Sequence, residues 1–341
     1  MMARNSSTSN FDAWKRLGVR LVWGLLLVAA ADWGMGALLE RLYARTEAGD
    51  FGGRINFVRR NPSQIVIFGS SRAKHHYFPA VIAQQTEKSV LNAGFDAQRI
   101  LFFYGLEQVV FEQYLPEIIV LEVNILDLIN WGAEDPLDLL APLLPFNDHP
   151  EVAALLKQRG PFESLKLVSK IYPYNSQVLR LAQHNLFPDE EATHKLRGYL
   201  PLFGNNTEEI RAAEKRNKNR LVATEVDFNP YYRTILEKFI GSAQGHGVQV
   251  VLCRSPLLEI YDIDEAAQDL ILDEFRAIAR PWDVPLIEIS PRTHALFSNP
   301  YLFVDNLHLN HEGAQLFSRV FGDTLRVVCR LEEDAAMYKS P

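Results

Sequence analysis

Five short runs of apolar, mostly β-branched residues recur in the chain, at 64–68, 89–94, 117–123, 248–253 and 286–289. Runs of this length without polar alternation are the pattern of strands buried on both faces. Stretches of helical period separate them, near 79–85, 98–114, 231–244 and 265–279, and a last helix starts at Asn310 and runs to about Leu331. Strand alternating with helix predicts an α/β fold, a three-layer α/β/α sandwich on a five-stranded parallel sheet. From Asn130 to Asn229 the alternation fails. Proline, asparagine, aromatic and charged residues crowd there with only irregular helical patterns, so 130–229 reads as one large, mostly helical insertion after the third strand.

A second pattern precedes the sheet. Lys15, Arg16 and Arg20 lead into an apolar run that continues, past Asp32, to Leu39. Residues 17–39 are long enough to cross a bilayer core of ~30 Å, and Asp32 lies toward one end, where its penalty shrinks. The rival reading is a cleaved signal peptide with Ala29-Ala30-Ala31 as the small-residue site, and a core helix is the third. The expected organisation is a cytoplasmic tail 1–16, a transmembrane anchor 17–39, a linker 40–62, a folded domain 63–331 and a tail 332–341. Anchor and signal alike place the domain outside the cytoplasm, on a bacterial-type envelope the periplasmic side.

Charge and cysteine content narrow the function. The net charge of −7 and isoelectric point near 5.8 argue against a nucleic-acid partner. Cys253 and Cys329, the only cysteines, have no metal-ligand spacing, and no motif calls for a metal or a cofactor. No G-x-G-x-x-G follows the first strand, which speaks against a nucleotide. The basic run 211–220 reads as a solvated helix face, with a patch for an anionic polymer or lipid headgroups as the alternative. Asn205-Asn206-Thr207 fits a glycosylation sequon by chance.

Two stretches can carry chemistry. Gly69-Ser70-Ser71-Arg72 follows the first strand at a tip where ligands are usually held, and it reads equally as a helix cap. Asp305-Asn306-Leu307-His308 precedes the last helix, where a carboxylate can hold one imidazole nitrogen and leave the other as a base. Arg72, His75 and His76 follow the serine and are candidates for binding an anionic substrate or for shaping the site.

Together these stretches resemble the SGNH (GDSL-like) hydrolase family over residues 64–331 apart from the insertion. The Gly69-Ser70-Ser71 turn matches the serine block, with Ser70 where the family has aspartate, and Asp305-x-x-His308 matches the last block. The resemblance implies Ser71 as nucleophile, His308 as base and Asp305 as its orienter. It also implies an oxyanion hole from the amides of Ser71 and Gly94 and the side chain of Asn124. The third block departs from the family's Gly-x-Asn-Asp, since Glu122-Val123 and Ile125 flank Asn124.

An anchor beside such a serine block looks like the accessory proteins of cell-envelope polysaccharide O-acylation. The implied activity is a membrane-anchored extracytoplasmic serine esterase or O-acyltransferase acting on acyl, above all acetyl, esters of a glycan. A membrane-bound O-acyltransferase is the implied partner. The alternative is a scaffold on the same fold with weak catalysis. Trp131, Phe146, Phe162, Tyr172, Tyr174 and Tyr199 in the insertion suit sugar stacking, a lid, or simply a core of its own. A helical cap replaceable by a short linker is the expectation for the insertion.

Overall fold

The computed structural model describes residues 6–47, 49, 53–130, 136–186, 195–205, 221–258 and 263–331; Trp131, the run 211–220, most of the sequon and the tail 332–341 fall outside them. Five parallel strands form one sheet in the order β2-β1-β3-β4-β5. They are β1 (Ile65–Gly69), β2 (Val90–Gly94), β3 (Ile118–Glu122), β4 (Gln249–Arg254) and β5 (Leu286–Glu288). Alternate residues of each strand face opposite layers. Val66 and Phe68 join the core beneath α5 (Ile100–Phe111), α9 (Pro230–Gly245) and α10 (Glu265–Ala279). Ile65 and Ile67 join the core beneath α4 (Pro79–Thr86) and α11 (His311–Val328). Both faces are therefore dry, which explains the unbroken apolar strands.

The strand order reverses between β1 and β3, because β2 lies on the other side of β1. Such a switch point leaves a crevice outside the carboxyl ends of the two neighbours. The turn after β1 enters α3 (Ser71–His76) and the turn after β3 carries Asn124, so both open into that crevice.

The insertion leaves and returns at one stem, where Ile129 bridges Phe228 and Asn130 N–H donates to Asp227 O at 2.9 Å. It is no detachable cap. Helices α6 (Pro150–Leu156), α7 (Glu163–Lys166) and α8 (Val178–Leu186) lie within its first part. Phe146 and Tyr174 are buried against Tyr43, at ring distances of 5.9 and 5.6 Å. Tyr199 is fully buried and stacks on Phe78 at 4.7 Å. These three are core residues, closed to a sugar, whereas Phe162 is exposed. Residues 195–205 then run beside the edge strand, with Asn92 N–H donating to Arg197 O at 2.9 Å.

Helix α1 (Ser6–Arg45) is longer than the apolar run and changes character along its length. Residues 13–31 are exposed all round, while Gly36, Leu39, Tyr43 and then Thr46 are buried on one face against the insertion. The described part, 13–45, is long and apolar enough to cross a membrane. Asp32 makes the seam's first polar contacts, accepting from Ser169 Oγ at 2.5 Å and Lys170 N–H at 2.7 Å. Gly36 is the closest approach, since a Cβ there would lie 2.3 Å from the Cβ of Lys170.

The stretch 40–62 is not a linker. Its helix α2 (Arg54–Arg60) buries Ile55, Phe57 and Val58 in the main core. Buried Arg54 donates to Gly94 O and Gly198 O, each at 2.6 Å, joining the sheet to the returning insertion. A charge-assisted bond to a carbonyl is what a buried guanidinium requires, and these carbonyls supply it to Arg54.

Candidate active site

At the end of β1, Gly69 takes φ +146°, and a Cβ there would lie 2.6 Å from the Cβ of Glu122. Only glycine turns this tightly against the neighbouring strand without strain. The turn places Ser70 at the N-cap of α3 and Ser71, half-buried, in its first turn. The second element is a pinched loop. Phe303 bridges Leu309, Val304 N–H donates to His308 O at 2.9 Å, and Asn310 caps α11 through Gly313 N–H at 2.9 Å. That loop presents Asp305 and His308 to the crevice.

The three side chains meet across the chain's length. Ser71 Oγ lies 2.7 Å from His308 Nε2, and His308 Nδ1 lies 2.9 Å from Asp305 Oδ2. Asp305 Oδ1 accepts from the amides of Leu307 at 2.7 Å and His308 at 2.8 Å. Burial pushes the Asp305 carboxyl up, but the bond and charge of His308 and the two amides outweigh it and hold the group below its usual value. An ionised Asp305 accepts only, so His308 Nδ1 carries the proton and Nε2 accepts from the Ser71 hydroxyl.

Arg72, His75 and His76, the candidates that follow Ser71, are buried supports rather than groups open to a substrate. Arg72 Nη2 donates to Val123 O at 2.7 Å and pairs with Glu122 at 3.1 Å. His75 Nδ1 donates to Leu200 O at 2.8 Å and its ring stands edge-on to His308 at 5.7 Å. His76 is fully buried: its Nε2 accepts Leu309 N–H at 3.0 Å, and Nδ1 meets Ser255 Oγ at 2.8 Å. Burial, then the charges of His308 and Arg72, push His76 well below the usual histidine range, so it stays neutral. Glu122 collects this network, accepting also from Tyr77 OH and from Ser255 Oγ at 2.9 Å. The sequence marks Glu122 only as a carboxylate at the end of a dry strand, a position that demands a cation nearby.

The two remaining oxyanion candidates separate. The Gly94 amide donates to Asn92 Oδ1 at 3.0 Å, and a Cβ on Gly94 would lie 2.3 Å from Lys74 N. Gly94 is therefore covered by α3, its donor spent, and its service is to let the helix pack on β2. Asn124 keeps its donor. Its Oδ1 accepts Leu126 N–H at 3.0 Å, which leaves the Nδ2 hydrogens free to point away from that turn. Arg72, bonded to Val123 O, ties the Asn124 turn to the Ser71 turn. Asp127 fixes Asn124 in the same capping box, with Asn124 N–H donating to its Oδ2 at 3.1 Å. Burial pushes the Asp127 carboxyl up to about 7.

Among the described residues no group of His, Cys, Asp and Glu is placed to hold a metal ion. A cavity of about 290 Å³ lies by the β4 and β5 tips between Arg254, Leu258, Gln268, Ser290 and Arg292, and Ser71 is not among its walls. No protein-family model and no curated protein matches the chain. Among solved structures it is similar to an alpha/beta hydrolase enzyme from the metagenome of Lake Arreo, Spain. The likeness has 12% identity and a TM-score of 0.39 over 79% of this chain and 96% of that one.

Proposed function

We propose that the chain is an SGNH-type serine esterase or O-acyltransferase, held at a membrane by α1 and acting on acyl esters of a glycan on the extracytoplasmic side. The observation that supports it is the unbroken relay from Ser71 Oγ through His308 to Asp305 at the switch point of the sheet. Ser71 Oγ attacks the ester carbonyl carbon while His308 Nε2 takes its proton. Asp305 holds the imidazolium that forms. The developing oxyanion is received by the Ser71 amide, in the first helical turn where N–H groups have no intrahelical acceptor, and by Asn124 Nδ2. His308 then gives its proton to the departing alkoxide, leaving an acyl group on Ser71. Water or a sugar hydroxyl, deprotonated by His308, removes it. Hydrolysis and transfer differ only in that acceptor.

The scaffold reading draws on the engaged Gly94 amide, which leaves one donor fewer than the family's three. One measurement separates the two. The full-length protein in detergent should hydrolyse p-nitrophenyl acetate, and Ser71→Ala should remove that activity at an unchanged melting temperature. Equal rates for the two proteins would leave only the scaffold.

A further inference from the structure

The insertion exposes three large apolar side chains in register: Phe162 at 68%, Leu165 at 70% and Val168 at 70%. At spacings of three they share one face of a helical turn formed by α7 and the residues after it. The turn is attached to α1 directly, because Asp32 accepts from Ser169 Oγ, Lys170 N–H and Ile171 N–H, and Lys170 packs on Gly36.

The depth of that attachment follows from the helix. A span of ~20 residues crosses the bilayer core, and the basic residues Lys15, Arg16 and Arg20 mark its start between Leu17 and Leu21. It then ends roughly between residues 36 and 40. At ~1.5 Å per residue, Asp32 lies about 6–12 Å inside that end. The turn bonded to Asp32 is at the same depth, in the leaflet on the domain's side. Three observations fit lipid there. Every backbone N–H from Leu165 to Ile171 has an acceptor within the turn or on Asp32, as hydrocarbon requires. The Glu163 carboxylate is closed off by Arg159, Lys166 and Tyr172 OH. Lys170 Nζ sits 5.6 Å over the exposed ring of Trp33, a cation–aromatic pair whose long lysine stem can reach from that depth toward the headgroups.

From these we infer that the turn 162–170 is seated in the leaflet through which α1 reaches the domain, with Phe162, Leu165 and Val168 among the acyl chains. The domain is thereby held at two points and in one orientation. Asp32 is then no defect in an anchor: it is the acceptor that satisfies the Ser169, Lys170 and Ile171 donors as the turn enters the bilayer.

The inference rests on α1 being an anchor, and the test keeps the two apart. Leu25→Cys, Leu165→Cys and Tyr301→Cys are each made in the full-length chain and labelled with an NBD fluorophore, native Cys253 and Cys329 being buried. The labelled proteins are placed in vesicles of phosphatidylcholine and phosphatidylglycerol, with and without lipids spin-labelled near the headgroup. Emission from Leu165→Cys should shift to the blue and be largely lost to the lipid quencher, while Tyr301→Cys answers only to aqueous iodide. Val168→Cys repeats the reading if the first variant does not assemble. Quenching at Leu25→Cys but not at Leu165→Cys overturns the seated turn and leaves the anchor. In that case iodide access at Leu165→Cys means water covers the face, and protection from both quenchers means another protein does. No lipid quenching at Leu25→Cys overturns the anchor itself, and the seated turn with it.

Discussion

Asp305 and Asp32 do the same elementary thing in two distant regions: each turns a carboxylate onto the backbone amides of a turn. At Asp305 one oxygen takes both amides, two and three residues ahead, and the other is left for the His308 ring. At Asp32 the oxygens are shared among Ser169, Lys170 and Ile171, so neither is spare. The first carboxylate organises its own loop and has a charge left to offer. The second has its acceptors committed to joining two parts of the chain. What separates an orienting group from a fastening is the lone pairs left over after the backbone is satisfied.

The sharpest way to break this comparison is to make both residues amides. Asp305→Asn keeps an oxygen for the two N–H groups, so the loop should stay folded, but its NH₂ then faces the Nδ1–H of His308. The wrong imidazole tautomer results, and ester hydrolysis should fall on the order of 10⁴-fold at an unchanged melting temperature. A small loss in rate would show that His308 does not depend on Asp305. Asp32→Asn should do the reverse. It cannot satisfy all three donors, so the melting temperature should drop while the rate on a small ester is kept. Thermal melts in detergent, read beside the assay, decide this, and unchanged stability would mean the seam does not use the carboxylate.

Asp127 sharpens the contrast at a smaller scale. It too accepts two amides, those of Asn124 at 3.1 Å and Ile100 at 3.2 Å, but it is fully buried without an arginine bonded to it. Its carboxyl is raised from 3.8 to about 7, so the folded state binds that proton more tightly than the unfolded chain. Its contribution is present below pH 3.8 and is lost as the pH climbs toward 7. Asp305, held low, has the opposite sign: its contribution is present above its unfolded value and fades as acid protonates it. The Asp127→Asn protein should therefore lack a downward slope that the parent shows between those two values. Parallel curves of melting temperature against pH for the two proteins would refute the raised carboxyl.

These cases also explain what the sequence could and could not show. The five strands and their helices were legible because dryness on two faces leaves a mark in every residue of a short run. Asp305 and His308 were legible because their geometry is set within one loop. The seam at Asp32 pairs residues more than a hundred positions apart and leaves only an unexplained charge in an apolar helix. The stretch 40–62 misled because Gly52-Gly53 followed by Arg54, Arg59 and Arg60 suits a solvated linker, and nothing local says that Arg54 will be buried on Gly94 O and Gly198 O. Gly94 misled for a related reason. Its place after a strand suggests a free amide, but Asn92, two residues back, already holds it. Arg72, His75 and His76 read as groups that bind a substrate or shape the site because they follow the serine, and the crossing of α3 over the sheet turns them inward to Glu122, Leu200 and Ser255.

The bond from Asn92 N–H to Arg197 O has a consequence for how the chain is made. β2 is one of the two edge strands, and its free side is closed by a segment that leaves the ribosome about a hundred residues later. At roughly 5–20 residues per second, the nascent sheet stands open for about 5–20 s. An open, apolar strand edge is a template for pairing with whatever strand comes by. A chain stalled or cut within the insertion before residue 195 would keep its first three strands and lose the closure, and such fragments should stick to one another rather than wait as soluble half-domains.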